Sequence, residues 1–256
     1  MNDKLKRLEL VQGAWDAYHP DYMGFQLQEN PDFHKDFADG AVMLNPMVPE
    51  LAGDVSGQKL LDICCACDAT QAFSWANLGA DVTACDISPV AIKIARENAE
   101  LIGLPVAFDV ADAQTLDPIE DESFDIVYAS YLMWFEDISL ACRNWRRVLR
   151  PSGRLLIDTW HPVTYCLEDL DGRIVSQRSY NNLAPDYRDF DGTNVARRHG
   201  GWGQTKPIVE FHHTIAEIMN AALAAGFRLE RVEEPAWETE GALTDLPGGF
   251  TSLWHM

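Results

Sequence analysis

The chain has 256 residues, 47% hydrophobic and 23% charged, with 40 Asp and Glu against 20 Lys and Arg for a formal net charge of −20. That length suffices for one large α/β core, and that composition excludes global disorder. A field of that sign repels phosphate backbones and anionic membrane surfaces, so neither nucleic acid nor a membrane is expected as a partner, and a cationic ligand is favoured.

Met1 to Leu10 is a charged run without the apolar core of a signal peptide. No apolar stretch approaches the roughly 20 residues that span a bilayer, so a soluble, cytoplasmic protein is expected. Leu5, Leu8, Val11, Trp15 and Tyr18 recur at helical spacing and predict an N-terminal helix. A loop-rich stretch is expected from His19 to about Pro49, with a short helical piece near Asp32 to Phe37. A regular alternation then begins. Lys59 to Cys64 reads as a buried strand, Gln71 to Leu78 as a helix, and Asp81 to Cys85 as a second strand ended by Asp86. Ser88 and Pro89 form a helix start, an N-cap followed by proline at the first helical position, and that helix runs to about Ile102.

Val106 to Val110 and Phe124 to Ala129 are the third and fourth strands, and Leu140 to Leu149 a helix. Pro151, Ser152 and Gly153 form a turn before a fifth strand, Arg154 to Thr159. Strands alternating with helices at this spacing imply a parallel sheet with crossover helices. The rhythm breaks from about 163 to 209, a segment too long for an ordinary connection and of the kind that carries function or disorder. Thr214 to Glu217 has the form of a capping box opening a helix that stops at Gly226. Phe227 to Val232 and Gly249 to Trp254 are two closing strands.

Three of the six cysteines, Cys64, Cys65 and Cys67, crowd into four positions. No second cysteine pair or nearby histidine completes a ligand set, so no metal is expected, and apolar packing in a tight turn accounts for them.

Lys59-Leu-Leu-Asp-Ile-Cys-Cys-Ala-Cys-Asp68 resembles the first motif of class I S-adenosylmethionine-dependent methyltransferases. Gly79 to Ser88 is similar to that family's second strand with its terminal acid, and Asp112-Ala113 to its acid-containing adenine contact. Phe124 to Tyr128 and Leu149 to Arg154 resemble the fourth strand and the turn before the fifth. The resemblance covers about Leu60 to His161, with a weaker echo from Phe211 to Glu234. It implies an α/β fold of Rossmann-like type, a mostly parallel seven-stranded sheet with helices on both faces. It also implies one domain over 1–256, with an N-terminal helical cap of about 1–50 and an insertion of about 163–209.

The cofactor implied is S-adenosylmethionine. Asp62, Cys64, Ala66, Asp68, Asp86, Ile87, Asp112, Ala113 and Ser130 are its expected contacts. Asp86 follows Asp62 by 24 residues, where an acid accepts the ribose hydroxyls. The family's first motif carries three glycines. Here Cys64, Ala66 and Asp68 stand in those places, and the loop before Trp75 is about one residue longer. Altered handling of the cofactor's amino-acid end is expected from that departure.

His161, Tyr131 and Trp134 are the candidate catalytic residues, and Trp15, Tyr18, Tyr165 and Trp202 the candidate substrate contacts. Aromatic faces attract cations by about 0.5–2 kcal/mol, which suits a sulfonium. His161 reads either as a general base or as a hydrogen-bonded loop histidine. His212 and His213 are adjacent, so at most one faces the site if the backbone is extended there. The expected function is methyl transfer to a small molecule. Two alternatives stand beside it. One is cyclisation of S-adenosylmethionine by the azetidine-2-carboxylate synthase branch of natural-product biosynthesis, which releases methylthioadenosine. The other is a binding module that has lost its cofactor.

Overall fold

The computed structural model describes residues 3–170, 173–192, 198–236 and 247–256. Its helices are α1 (Asp3–Glu29), α2 (Phe33–Ala38), α3 (Met47–Ala52), α4 (Thr70–Asn77), α5 (Pro89–Ile102), α6 (Ile138–Val148) and α7 (Ile215–Ala224). Its strands are β1 (Lys59–Ile63), β2 (Asp81–Asp86), β3 (Ala107–Val110), β4 (Phe124–Ala129), β5 (Leu149–Trp160), β6 (Leu167–Leu170), β7 (Arg173–Ser176), β8 (Asp186–Phe190), β9 (Lys206–Glu210), β10 (Arg228–Glu233) and β11 (Gly249–His255). Seven of them form one sheet in the order β10-β11-β5-β4-β1-β2-β3. Pairing is parallel for β1 with β2, β2 with β3 and β4 with β5, whereas β11 runs antiparallel to both β5 and β10. This is the mostly parallel, helix-flanked sheet that the alternating pattern implies.

The chain divides into two compact units. The first comprises Met1–Leu44, Asp54–Pro118 and Tyr187–Val209, the second Asn45–Gly53, Ile119–Asp186 and Glu210–Met256. In the first unit, α1 and α2 pack on α5, and α4 covers β1 and β2. Leu60, Leu61 and Ile63 of β1 and Ala84 and Cys85 of β2 are all sealed from solvent, the continuous apolar run of a strand covered on both faces. The Ser88 hydroxyl accepts the Ala91 N–H, and Pro89 opens α5 as its sequence demands.

Helix α1 departs from expectation. It does not end at His19 but continues as one 27-residue helix with Pro20 inside it. A proline in a helix interior removes one backbone bond and costs about 3 kcal/mol. Burial of Tyr18, His19 and Met23 on either side of Pro20 offsets that cost. Only a short loop then separates α1 from α2, and α3 forms where loop was expected. Leu5 is 52% exposed, so the buried stripe begins further along, at Val11.

The segment from 163 to 209 carries more order than its composition suggests. A 3-10 turn, Pro162–Cys166, leads into the antiparallel β6–β7 hairpin, and β8 pairs with β9 in a second small sheet. Residues 171–172 and 193–197 of this insertion lie outside the described residues.

In the second unit, α6 packs on β5 and α7, while α3 lies against β5 and β11, with the Arg154 guanidinium donating to the Ala52 carbonyl at 2.6 Å. The expected turn at Pro151–Gly153 is a bulge within β5. While β4 advances from Phe124 to Ile126, β5 advances from Leu149 to Arg154. Gly153 is required there, because a Cβ would sit 2.8 Å from a Leu149 methyl and 2.9 Å from the Arg150 carbonyl oxygen. Thr214 and Glu217 close both bonds of the capping box on α7, and Gly226 ends that helix with φ +95°. Among the described residues, no helix is long and apolar enough to cross a membrane.

Candidate functional site

In the first unit, the segment between β1 and α4 takes the place of a glycine-rich loop without containing a glycine. Cys64 has φ 64°, Ala66 φ 56° and Ala69 φ 45°, all in the left-handed region. For residues with a Cβ this region costs roughly 1–2 kcal/mol each. The backbone path survives while the residue type that permits it cheaply does not. Cys64 and Ala66 hold two of the three positions expected to replace glycine. The third left-handed residue is Ala69, one place after Asp68, as the extra loop residue requires. Ala66→Gly is expected to raise the urea midpoint, by about 1 kcal/mol of stability. A lower midpoint would mean that the alanine methyl contributes more than its strain costs.

What holds the strained loop is a set of contacts from α1, β2, α4 and α5. The Ala66 N–H donates to Asp86 Oδ2 at 3.1 Å, and the Cys65 N–H to the Cys85 carbonyl at 3.0 Å. Asp68 Oδ2 accepts from Tyr22 Oη at 3.3 Å, Gln26 Nε2 at 3.2 Å and Thr70 Oγ1 at 3.1 Å. The Cys67 thiol points to the His19 carbonyl, and the Asn98 amide donates to the Cys67 carbonyl at 3.0 Å. Five of the six cysteines are buried and Cys64 is half-buried, all as free thiols. Burial pushes the Cys64, Cys65 and Cys67 thiols up, leaving them protonated and unreactive.

Three carboxylates gather at the carboxyl ends of β1 and β2. Asp62 is fully buried, and among the described residues neither carboxylate oxygen has a hydrogen-bond partner. Burial raises it well above the ordinary carboxylate value, and the neighbouring Asp86 and Asp68 add to the rise. Burial likewise raises Asp68 and Asp86 to about 6 each, against the hydrogen bonds they accept. Asp86 Oδ1 accepts the Ser88 N–H at 2.9 Å, and the Ser88 hydroxyl donates to Asp16 at 2.5 Å. At the end of β3, half-buried Asp112 accepts the Gln114 N–H at 2.9 Å, with Ala113 buried beside it. Ile87 is half-buried after β2. Such an array is costly when ionised unless a cation completes it.

Trp15, Tyr18 and Trp202 come together in this unit. The Tyr18 and Trp202 rings meet edge-on at 5.1 Å, and Phe190 packs against Trp15 and Tyr18 at 5.3 and 5.4 Å. The Trp202 indole donates to Asp21 at 2.6 Å. Tyr18 is sealed from solvent, so its ring serves the cluster itself.

The second unit holds the remaining candidates. Ser130 is buried just past β4, Tyr131 follows with φ 54°, and Trp134 closes a 3-10 turn, Leu132–Trp134. Both His161 ring nitrogens are engaged. Nδ1 accepts the Val163 N–H at 3.1 Å, which leaves the proton on Nε2, 2.7 Å from Glu234. Tyr165 lines a narrow pocket with Met133, Trp160, Phe211 and His213. Sequence reading missed Asp16, Tyr22 and Gln26, whose contacts span more than 40 residues. For Tyr22 and Gln26 the one signal is their i, i+4 spacing with Tyr18 along α1.

Comparison with known proteins matches residues 61–157 to a methyltransferase domain family. The chain is 38% identical over 108 residues to methyltransferase GfsG of Streptomyces halstedii, covering 41% of this chain and 38% of that protein. It is 28% identical over 140 residues to a ubiquinone biosynthesis O-methyltransferase of Xanthomonas oryzae pv. oryzae, covering 54% of this chain and 58% of that one. The chain thus spans less than two thirds of these relatives' length. A crystal structure of an S-adenosylmethionine-dependent methyltransferase from Mesorhizobium loti superposes with TM-score 0.63 at 22% identity, over 86% of this chain and all of that one. That likeness establishes the class I methyltransferase fold.

Proposed function

We propose that this chain, whose residues 61–157 match a methyltransferase domain family, binds S-adenosylmethionine through its first unit and methylates a small molecule. The observation that carries this reading is Asp62, a fully buried carboxylate without a partner among the described residues, beside two further buried acids. A ligand bearing an α-ammonium and a sulfonium suits that array better than an anionic one. Asp86 stands to accept the ribose hydroxyls, Asp112 the adenine amine, and Ile87 and Ala113 to flank the base. Asp62 and Asp68 stand toward the ammonium, and Cys64 and Ala66 present backbone to the methionine chain. Ser130, Tyr131 and Trp134 follow β4, at the strand ends where ligands of open α/β sheets bind.

The bound cofactor supplies an activated methyl group that leaves a neutral thioether behind. The protein's own task is to hold donor and acceptor in line, exclude water and remove a proton where the acceptor carries one. The charge of −20 favours a small, uncharged or cationic acceptor over a nucleic acid. The six free thiols suit a reducing compartment, so the compartment proposed is the cytoplasm.

The test is to incubate the protein with S-adenosylmethionine alone and to follow its melting with S-adenosylhomocysteine. A clear thermal shift without turnover is expected. Methylthioadenosine forming above an enzyme-free control would replace methyl transfer by the intramolecular cyclisation. No shift with either ligand would leave a module that does not bind the cofactor.

A further inference from the structure

Asn98 interrupts the apolar stripe of α5. Ala91, Ile92, Ala95, Ala99 and Ile102 form the buried face that helical spacing demands, and Asn98 stands among them, 4% exposed. A buried amide is costly unless both of its ends find partners. The Asn98 amide has them on both ends. Its Nδ2 donates to the Cys67 carbonyl at 3.0 Å and lies 3.3 Å from the Met23 sulfur of α1, while its Oδ1 lies 2.9 Å from His34 Nε2 of α2. All of these residues belong to the first unit. A carbonyl only accepts, so the amide nitrogen faces Cys67 and the oxygen faces His34, whose Nε2 carries the shared proton.

The atom so held lies at the middle of the strained loop. Cys67 stands between Ala66, with φ 56°, and Ala69, with φ 45°. A peptide group is planar, so fixing the Cys67 oxygen fixes the plane that leads into Asp68. Glycines at the left-handed positions would make that path cheap without an outside anchor. Here the path is held against a steric cost, and the anchor comes from a residue 31 positions along the chain.

We infer that Asn98 is a positioning residue for cofactor binding, which holds the glycine-free loop in its binding shape through the Cys67 carbonyl, with His34 orienting the amide. Its effect on affinity rests on the methyltransferase reading above, whereas its hold on the loop stands apart from that reading.

The test uses the chain's own thiols. Cys67 is buried in the loop and Cys142 in α6 of the second unit, both free. In Asn98→Leu, leucine suits the apolar stripe and only the hydrogen bonds are missing. Labelling by N-ethylmaleimide, read residue by residue by mass spectrometry, is expected to reach Cys67 about tenfold faster in this variant, with Cys142 unchanged. Affinity for S-adenosylhomocysteine, by titration calorimetry, is expected to fall about tenfold as well. When Asn98→Leu is combined with Ala66→Gly, its cost in affinity is expected to shrink to less than about threefold, because glycine restores the path without the anchor. His34→Leu changes a half-buried position and is expected to show the same pattern in weaker form, which carries the test if Asn98→Leu does not fold.

Equal acceleration at Cys67 and Cys142 would mean a general loosening and would overturn the inference. So would wild-type labelling in Asn98→Leu, or a loss of affinity that Ala66→Gly does not reduce. A wild type that fails to bind S-adenosylhomocysteine, with Cys67 still selectively exposed in Asn98→Leu, is the separate failure of the methyltransferase reading. It overturns the role in cofactor binding and leaves the loop anchor in place.

Discussion

Asp62→Asn is expected to stabilise the ligand-free protein at neutral pH and to weaken cofactor binding at the same time. The two effects have one cause. In the native state Asp62 is buried without a partner among the described residues, and its carboxyl is raised well above the unfolded value near 3.8. A group whose folded value is raised binds its proton more tightly in the native state. Its contribution is fully present below pH 4 and is lost as pH rises through the folded value. Asp68 and Asp86, raised to about 6, lose theirs between about pH 4 and 6. Asparagine freezes position 62 in a neutral form at every pH. Wild type and variant are therefore expected to melt alike at pH 4, and the variant several degrees higher at pH 7, where ~1 kcal/mol is worth about 2–4 °C for a chain of this size. Calorimetry at the two pH values measures this, with S-adenosylhomocysteine affinity read by titration calorimetry. Equal melting at pH 7, or full affinity in the variant, would remove Asp62 from the cation site.

Asp86→Ala is expected to lower S-adenosylhomocysteine affinity by about a hundredfold or more. Each hydrogen bond to a buried charged group contributes about 1.5–3 kcal/mol, and the ribose would lose two. The same carboxylate holds the Ala66 and Ser88 N–H groups, so the strained loop loosens as well. Asp86→Asn separates these roles, since the amide oxygen still accepts while the charge is gone. It is expected to retain more thermal stability than the alanine variant and to recover part of the affinity. Wild-type binding in Asp86→Ala would place the ribose elsewhere.

The alternation from Lys59 to Thr159 was legible because each element there is announced locally. Buried strands read as short apolar runs, and α5 and α7 carry their start signals in Ser88-Pro89 and Thr214–Glu217. The course of α1 past Pro20 was not legible. A proline mid-helix is locally unfavourable, and what offsets it is the burial of Tyr18, His19 and Met23 by distant chain. The small sheets between 163 and 209 escaped for a similar reason, since their pairing is tertiary and their composition polar. In the candidate site, acids at strand ends could be read directly, because position along a strand fixes which end a residue occupies. Tyr22 and Gln26 could not, because their role depends on α1 lying against a loop some 40 positions later, and neither could Asp16, whose partner Ser88 lies 72 positions on. The engagement of His161 depends on a backbone amide and a distant carboxylate to which no motif points.

The loop between β1 and α4 owes its shape to its neighbours more than to its own residues. Glycines would make such a loop self-sufficient, whereas this one leans on α1 through Asp68 and the His19 carbonyl. The boundaries of sequence likeness, 61 to 157, are therefore not the boundaries of a transplantable module. A segment excised at those limits would lose Tyr22, Gln26 and Asp16, and with them the scaffolding that keeps three non-glycine residues in a left-handed path. Any chimera that borrows this cofactor half has to bring the first thirty residues along.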